Sequence, residues 1–107
     1  MSTHAVIANV NPDGRCQAVY LHYDGYPEYA GRVLNQRYET FEKAQTLIAG
    51  GELRSLPNKD EQPSYFENGE PTRVVDNAEA LMGFAQGYGA SYLYLFANDR
   101  WHCWQVP

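Results

Sequence analysis

The sequence predicts an α+β fold in which an antiparallel sheet of about four strands carries about three helices on one face. Two observations indicate this class. Runs rich in β-branched and aromatic residues lie near both ends of the chain, and the middle holds apolar residues at helical spacing. A chain of 107 residues can bury one core, so residues 1–107 are predicted to form a single domain.

An N-terminal hairpin is predicted from the strands Ala5–Val10 and Cys16–Tyr23. Between them stands the sequence Asn11-Pro12-Asp13-Gly14, which matches a type I turn with Asn at its first position and Pro at its second. Gly14 suits the left-handed residue that often follows such a turn in a hairpin. This segment is therefore expected to join two antiparallel strands.

The second strand is predicted to stop at a sharp turn, Asp24-Gly25-Tyr26-Pro27. Gly25 permits backbone conformations closed to other residues, and Pro27 cannot donate to a sheet. His22 and Asp24 share a face of the strand and are able to pair. The pair is either an acid–base dyad or part of a turn in which Asp24 accepts local backbone N–H bonds. We favour the turn. The predicted structural motif comprises His22, Asp24, Gly25 and Pro27.

Three helices are predicted from apolar residues at helical spacing. They begin at Glu28, Phe41 and Ala78 and end near Tyr38, Gly50-Gly51 and Gly89. Thr40 is expected to cap the second helix, and Asp76 or Asn77 the third. The glycines at the last two ends favour the left-handed conformation that commonly terminates a helix.

A second hairpin is predicted at the end of the chain, with strands Ser91–Phe96 and Arg100–Val106 and with Asn98-Asp99 at its tip. Asn and Asp tolerate the positive φ that a tight hairpin turn needs. The polar segment 58–72 is expected to form an irregular loop with one short strand at Ser64-Tyr65-Phe66. Loops of this length in a small domain are usually functional or disordered.

Acidic charge is concentrated in one segment. The net charge is −5, and residues 60–79 carry six acidic side chains and one basic one, whereas the remaining residues carry seven of each. Such a segment disfavours binding to nucleic-acid phosphates and suits a basic protein surface, to which neighbouring tyrosines add anchoring contacts. A solvated loop is the alternative for any single carboxylate. The predicted partner-binding residues are Asp60, Glu61, Glu67, Glu70, Asp76, Glu79, Tyr65, Tyr26 and Tyr29.

No pattern in the sequence predicts a cofactor, a metal site or a membrane segment. Residues 1–10 lack the features of a signal peptide and no apolar run approaches a transmembrane length, so a cytoplasmic location is expected. Cys16 and Cys103 are then expected to be reduced and buried. Together with His22 and His102 they lack the spacing of a metal site.

Several distinctive segments are distributed along much of the chain. They are YLHYDGYPEYAGRVL at residues 20–34, Tyr38, Leu47-Ile48, GELRSL at residues 51–56, YLYLF at residues 92–96, and Trp101. Together they resemble a family of small uncharacterised proteins carried by bacteriophages, prophages and plasmids. Residues 57–76 depart from the family pattern, which often has a Tyr-His-Arg-Asp-type stretch where this chain has SYFENGE. The resemblance implies a mobile-element origin and, for a small acidic protein, inhibition of a host defence system.

The leading hypothesis is a non-enzymatic binding protein that acts in the bacterial cytoplasm as a monomer or homodimer. It would be an anti-CRISPR protein whose acidic patch blocks a basic nucleic-acid-binding surface of a Cas effector. The alternative is a self-associating structural or regulatory module of a phage or plasmid with no inhibitory role. A small enzyme that uses His22 and Asp24 is the least favoured hypothesis.

Overall fold

A mixed β-sheet is the centre of the fold in the computed structural model, which describes residues 3–59 and 61–107. Within those residues the sheet has seven strands, in the order β4-β3-β2-β1-β6-β7, and β5 also pairs with β2. The strands are β1 (Ala5–Val10), β2 (Cys16–Leu21), β3 (Leu53–Ser55), β4 (Ser64–Tyr65), β5 (Arg73–Val75), β6 (Tyr92–Ala97) and β7 (Arg100–Gln105). The α+β class is confirmed.

The predicted antiparallel sheet of about four strands is too simple. The two hairpins lie side by side through their first strands, β1 and β6, which run in the same direction and therefore pair in parallel. A second parallel contact joins β2 to β3 at Leu21 and Leu53. The strands β3 and β5 were not predicted because three residues are too few to display an alternating pattern.

The N-terminal hairpin confirms its predicted turn. Strands β1 and β2 pair without a register shift from Ala5 opposite Leu21 to Val10 opposite Cys16. Gly14 has φ +89° and its N–H donates to the carbonyl of Asn11 at 2.9 Å. The left-handed glycine and the preceding proline together reverse the chain within the turn that the sequence indicates.

Helices cover both faces of the sheet, so the prediction that they share one face is wrong. They are α1 (Arg32–Arg37), preceded by a π-helical turn (Pro27–Gly31), α2 (Phe41–Ala49) and α3 (Leu81–Gly87). The physical reason lies in β1, where Ala5 and Ile7 pack under α1 and α2 whereas Val6 and Ala8 pack under α3. A strand that is apolar on both sides needs cover on both. We call these sides the α1–α2 face and the α3 face.

Local caps and turns follow their sequence signals. The hydroxyl of Thr40 accepts a hydrogen bond from the N–H of Lys43 at 3.2 Å, and the side chain of Asn77 accepts one from the N–H of Ala80 at 3.0 Å. Asn77, rather than Asp76, therefore caps the helical turn Ala78–Ala80 that leads into α3. Both tip residues of the last hairpin, Asn98 and Asp99, have positive φ. None of the helices in the described residues has the length and apolarity needed to cross a bilayer.

The Asp-Gly-Tyr-Pro turn docks the end of β2 against the rest of the sheet. The positive φ, 58°, belongs to Asp24, whereas Gly25 is required for a close approach. A Cβ at Gly25 would lie 2.9 Å from the carbonyl oxygen of Thr3. The Gly25 carbonyl in turn accepts a hydrogen bond from the buried hydroxyl of Tyr94 at 2.7 Å. Pro27 then opens the π-helical turn, where a missing N–H costs nothing.

We predict that Gly25→Ala destabilises the protein by about 1–3 kcal/mol, because the added methyl group meets backbone that cannot move away cheaply. The matched control is Gly83→Ala in α3, where the added Cβ has nothing within 4 Å. That change should stabilise by about 0.5–1 kcal/mol, since alanine is the better helix former. Chemical denaturation measures both. Equal stability of Gly25→Ala and the unmodified protein would contradict the packing described here.

Candidate functional site

A cluster of polar and aromatic side chains lies on the α3 face beyond the reach of α3. Along this face of β2, Cys16 and Ala18 are buried in the core with α3, Tyr20 packs at the border of that core against Tyr88, and His22 follows the end of the strand. The gap is filled from the segment between β3 and α3. We call the cluster the His22 network; its members are His4, Tyr20, His22, Glu52, Arg54, Phe66, Glu70, Arg73 and Tyr88.

Glu52 is the central acceptor of the His22 network. One carboxylate oxygen hydrogen-bonds Nε2 of His22, and the other accepts the backbone N–H of Glu70 at 2.8 Å. The Glu70 N–H, and after it the His22 ring, hold the pKa of Glu52 below its usual value despite opposing desolvation. Glu52 is therefore ionised at neutral pH and joins β2, β3 and the turn after β4.

The partner of His22 is thus Glu52, and the contact with Asp24, which the sequence allows but which was not the favoured interpretation, is not formed. Such a contact requires the strand to continue to residue 24, so that residues 22 and 24 share a face. Strand β2 instead ends at Leu21, and Asp24 is exposed in a left-handed conformation. The alternation of side chains that supports an i, i+2 pair is lost at that point.

A second set of hydrogen bonds ties α3 to the same region. The hydroxyl of Tyr88 donates to Glu70 at 2.6 Å and accepts from Nη1 of Arg73 at 3.2 Å. The hydrogen bond to Glu70, followed by burial, raises the pKa of Tyr88. Burial, and then the charge of Glu52, raise the pKa of Tyr20. Both phenols therefore stay protonated well above neutral pH.

Ring contacts fill the spaces between these hydrogen bonds. The imidazole of His22 meets the rings of Tyr20 and Phe66 at centroid distances of 4.7 and 4.6 Å. Above the Phe66 ring, at 4.5 Å, lies the guanidinium carbon of Arg54. The remaining cavity beside Tyr20, Glu52 and Tyr88 measures about 10 Å³, which is room for about one water molecule. The arrangement favours a stiff, patterned surface over an open chamber.

Four of the predicted acidic residues lie in the segment that follows the side of β2 opposite β1. After β4 the chain turns at Phe66–Gly69 against Glu52, pairs through β5 with β2, and enters α3. Glu67, Glu70, Asp76 and Glu79 are exposed along this path, and it also carries Arg73, while Arg54 lies on the neighbouring β3. We call this surface the acidic edge; its carboxylates are Glu52, Glu67, Glu70, Asp76 and Glu79.

Glu61 does not belong to the acidic edge. It borders a cleft of about 380 Å³ on the α1–α2 face, together with Arg37 and Lys43. Burial is the main cause of the raised pKa of Tyr29, and the charge of Glu61 contributes to it. The gathering of all six predicted carboxylates on one side is therefore not observed. The sixth, Asp60, lies outside the described residues.

Two of the predicted contact tyrosines have structural roles. Tyr65 and Tyr29 are half-buried, and their hydroxyls donate to the carbonyls of Leu47 and Leu56, each at 2.6 Å. Burial raises the pKa of Tyr65 to about 12. Their hydroxyls secure the π-helical turn and β4, and each ring is only partly exposed.

Two aromatic side chains are more exposed. The third predicted contact tyrosine, Tyr26, is 38% exposed and lies beside Tyr29, with ring centroids 6.4 Å apart. Tyr23 is 45% exposed and neighbours the His22 ring at 6.3 Å. Together with the half-buried Phe66, Tyr23 gives the acidic edge an aromatic margin that the sequence interpretation assigned to other tyrosines.

The four residues considered for a metal site lie apart. Cys16 is buried in the α3-face core, whereas Cys103 is exposed on β7, which corrects the expectation that both are buried. His102 stacks on Trp104 at the same end of the sheet as Cys103. Among the described residues, no three His, Cys, Asp or Glu side chains group as metal ligands would.

Comparison with protein-family models, with curated proteins and with solved structures found no match to this chain. The site geometry is therefore the basis for any functional assignment. Sequence reasoning missed Glu52 as the partner of His22, because 30 positions separate them and no local pattern links them. The only indication in the sequence was that Glu52 is the acidic residue of the GELRSL segment.

We predict that Glu52→Gln costs about 1–2 kcal/mol of stability at pH 7, because charge-assisted hydrogen bonds are lost. The folded-state pKa of Glu52 is depressed, so this stability is present above the unfolded-state value, near 4.5, and is lost as the pH falls through the folded-state pKa. Denaturation at several pH values from 7 to 3 should show the two proteins converging. The exposed Glu42→Gln variant is the control, and a pH-independent Glu52→Gln deficit would contradict the assignment.

Proposed function

We propose that this chain is a binding protein whose acidic edge occupies a basic surface on a partner protein. The observation that carries the proposal is that an exposed segment with four carboxylates pairs with β2 through β5 and turns against a fifth carboxylate, Glu52. Opposite charges steer association and set the orientation of two surfaces. Within the described residues, no ion pair involves Glu67, Asp76 or Glu79, so their charges are available to a partner.

The aromatic margin of the acidic edge supports the same proposal. Tyr23 is among the most exposed large hydrophobic side chains of the described residues, and it adjoins His22. Aromatic side chains anchor protein interfaces because they bury large area at low entropic cost. A surface that combines such an anchor with carboxylates matches a partner rich in arginine and lysine.

The stiffness of the His22 network also favours binding over catalysis. Hydrogen bonds join His22 to Glu52, Glu52 to the Glu70 backbone, and Tyr88 to Glu70 and Arg73, and the small cavity beside Glu52 leaves no space for a substrate larger than water. A surface that is already ordered loses little conformational entropy when a partner docks. The network thus serves the proposed function as the support beneath the acidic edge.

The resemblance to mobile-element proteins gives the proposal its specific form. A protein of this kind acts inside a bacterial host, where the largest basic surfaces on defence proteins are those that hold nucleic acid. We therefore propose inhibition of a host defence system, with an anti-CRISPR protein that covers the nucleic-acid-binding surface of a Cas effector as the favoured case. The acidic edge would compete there with the phosphate backbone.

The test is competition between this protein and target DNA for guide-loaded CRISPR–Cas effectors, followed by electrophoretic mobility. The unmodified protein should displace DNA from a susceptible effector, and rising salt should weaken it, since exposed charges are screened. The variant Glu67→Gln, Asp76→Asn, Glu79→Gln removes three exposed charges and should weaken inhibition about tenfold, at roughly 0.5 kcal/mol for each charge.

The matched control removes three exposed charges elsewhere, through Glu28→Gln, Glu42→Gln and Asp99→Asn. It has the same net charge as the test variant and should inhibit like the unmodified protein. Equal loss in both variants would show that net charge alone matters and would contradict a role for the acidic edge. Unchanged DNA binding by every effector tested would contradict the anti-CRISPR proposal itself.

A further inference from the structure

The outermost strands on the two sides of the sheet are built in opposite ways. On one side they are β4, which has two residues and pairs with β3 through a register shift, and β5, which has three residues and pairs with β2. On the other side β7 has six residues and pairs with β6 in unbroken register from Ala97 opposite Arg100 to Tyr92 opposite Gln105. Short strands and irregular pairing protect an edge from further pairing, and β7 has neither.

The residues of β7 also lack the side chains that protect an edge. Its sequence, Arg-Trp-His-Cys-Trp-Gln, contains no proline and no lysine, and Arg100 is its only charge. Trp104 is 43% exposed and stacks on His102, with ring centroids 5.9 Å apart and planes 16° from parallel. An exposed tryptophan on a long, regular outer strand supplies amphipathic contact area to a strand that pairs with it.

The hydrogen bonding of β7 shows which backbone groups point outward. The N–H of Val106 donates to the carbonyl of Ser91, toward β6. Backbone direction alternates along an antiparallel strand, so residues 104, 102 and 100 also point toward β6. Trp101, Cys103 and Gln105 therefore direct their N–H and C=O groups away from the sheet, where β7 has no strand neighbour among the described residues.

We infer that β7 pairs antiparallel with β7 of a second copy of this chain about a two-fold axis at Cys103. In that register Cys103 faces its own counterpart, and Trp101 faces Gln105 of the other copy. All three outward-pointing residues then find partners at once, which a shift of two residues in either direction would not achieve. The two sheets join into one, and the interface is isologous.

Side chains and charge favour this occupant. Residues directly opposite in an antiparallel pair share a face, so Trp104 of each copy lies against His102 of the other copy on the α3 face. Arg100 lies opposite Val106, and no like charges meet. The chain is acidic, with net charge −5, whereas β7 carries one positive and no negative side chain. Of the outer strands β4, β5 and β7, only β7 combines the absence of negative side chains with a length that lets two copies pair.

This dimer is independent of the proposed function, because it uses the opposite edge of the sheet from the acidic edge. Its test is sedimentation of the purified full chain at several concentrations, combined with cross-linking by a short bis-maleimide. The mass should double with rising concentration and stay doubled in high salt. Cross-linking should join Cys103 to Cys103, whose Cα atoms in a hydrogen-bonded antiparallel pair lie about 5.5 Å apart; Cys16 is buried and serves as the internal control.

Two variants separate the interface from the fold. Cys103→Pro removes an outward N–H that the monomer does not use, and Trp104→Lys places a charge where the two copies meet. Each should give a folded monomer by circular dichroism and raise the dissociation constant at least tenfold. The control, Val74→Lys, makes the same kind of change at a side chain that is 60% exposed on β5, and should remain dimeric.

Two results would overturn the inference. One is an unmodified protein that stays monomeric at the highest concentration reached. A complex in which β7 pairs with a strand of a different protein, and not with a second copy, counts as the same result. The other is a dimer that survives both Cys103→Pro and Trp104→Lys and forms no Cys103 cross-link, since such a dimer uses another surface.

Discussion

Strand β1 has a paired strand on each side and packed side chains on each face, and the rest of the molecule is placed by that constraint. Residues 5–9 are completely buried, including the amide of Asn9. Because both faces of β1 are apolar, α1 and α2 take one side and α3 the other. Helix α3 is only seven residues long and covers the beginning of β2 but not its end. The uncovered end is where the His22 network lies.

The two sides of the sheet consequently have different chemistry. Beside β2, the chain from Phe66 to α3 pairs through β5 and carries exposed carboxylates. At β7, aromatic side chains and unpaired backbone dominate. The proposed contact with a basic partner and the proposed dimer therefore use separate surfaces. Two acidic edges on one dimer would raise the effective concentration at a repeated basic surface.

Features with local signals were predictable from the sequence. The turn at residues 11–14, the cap at Thr40 and the hairpin tip at Asn98-Asp99 each depend on two to four neighbouring residues with a specific backbone requirement. Features that depend on distant contacts were not. The parallel pairing of β1 with β6 and the hydrogen bond from His22 to Glu52 join segments that no local pattern connects.

The candidate site was predicted in part for the same reason. Charge counting located the acidic segment, but it gave no information on which face each carboxylate occupies. Glu61 lies before β4 and borders the cleft on the α1–α2 face, whereas Glu70 follows β4 and contacts Glu52 and Tyr88 on the α3 face. Sequence alone also does not show that the hydroxyls of Tyr65 and Tyr29 donate to backbone carbonyls.

The central claim, that the acidic edge is the charged recognition surface, is tested most directly by an NMR titration of the ¹⁵N-labelled chain with a nona-arginine peptide. We predict saturable shifts confined to the amides of residue 52 and of residues 66–79, reversed by salt, with α1, α2 and β7 unchanged. Shifts distributed evenly over all exposed carboxylates, or centred on Glu28, Glu39 and Glu42, would contradict the claim.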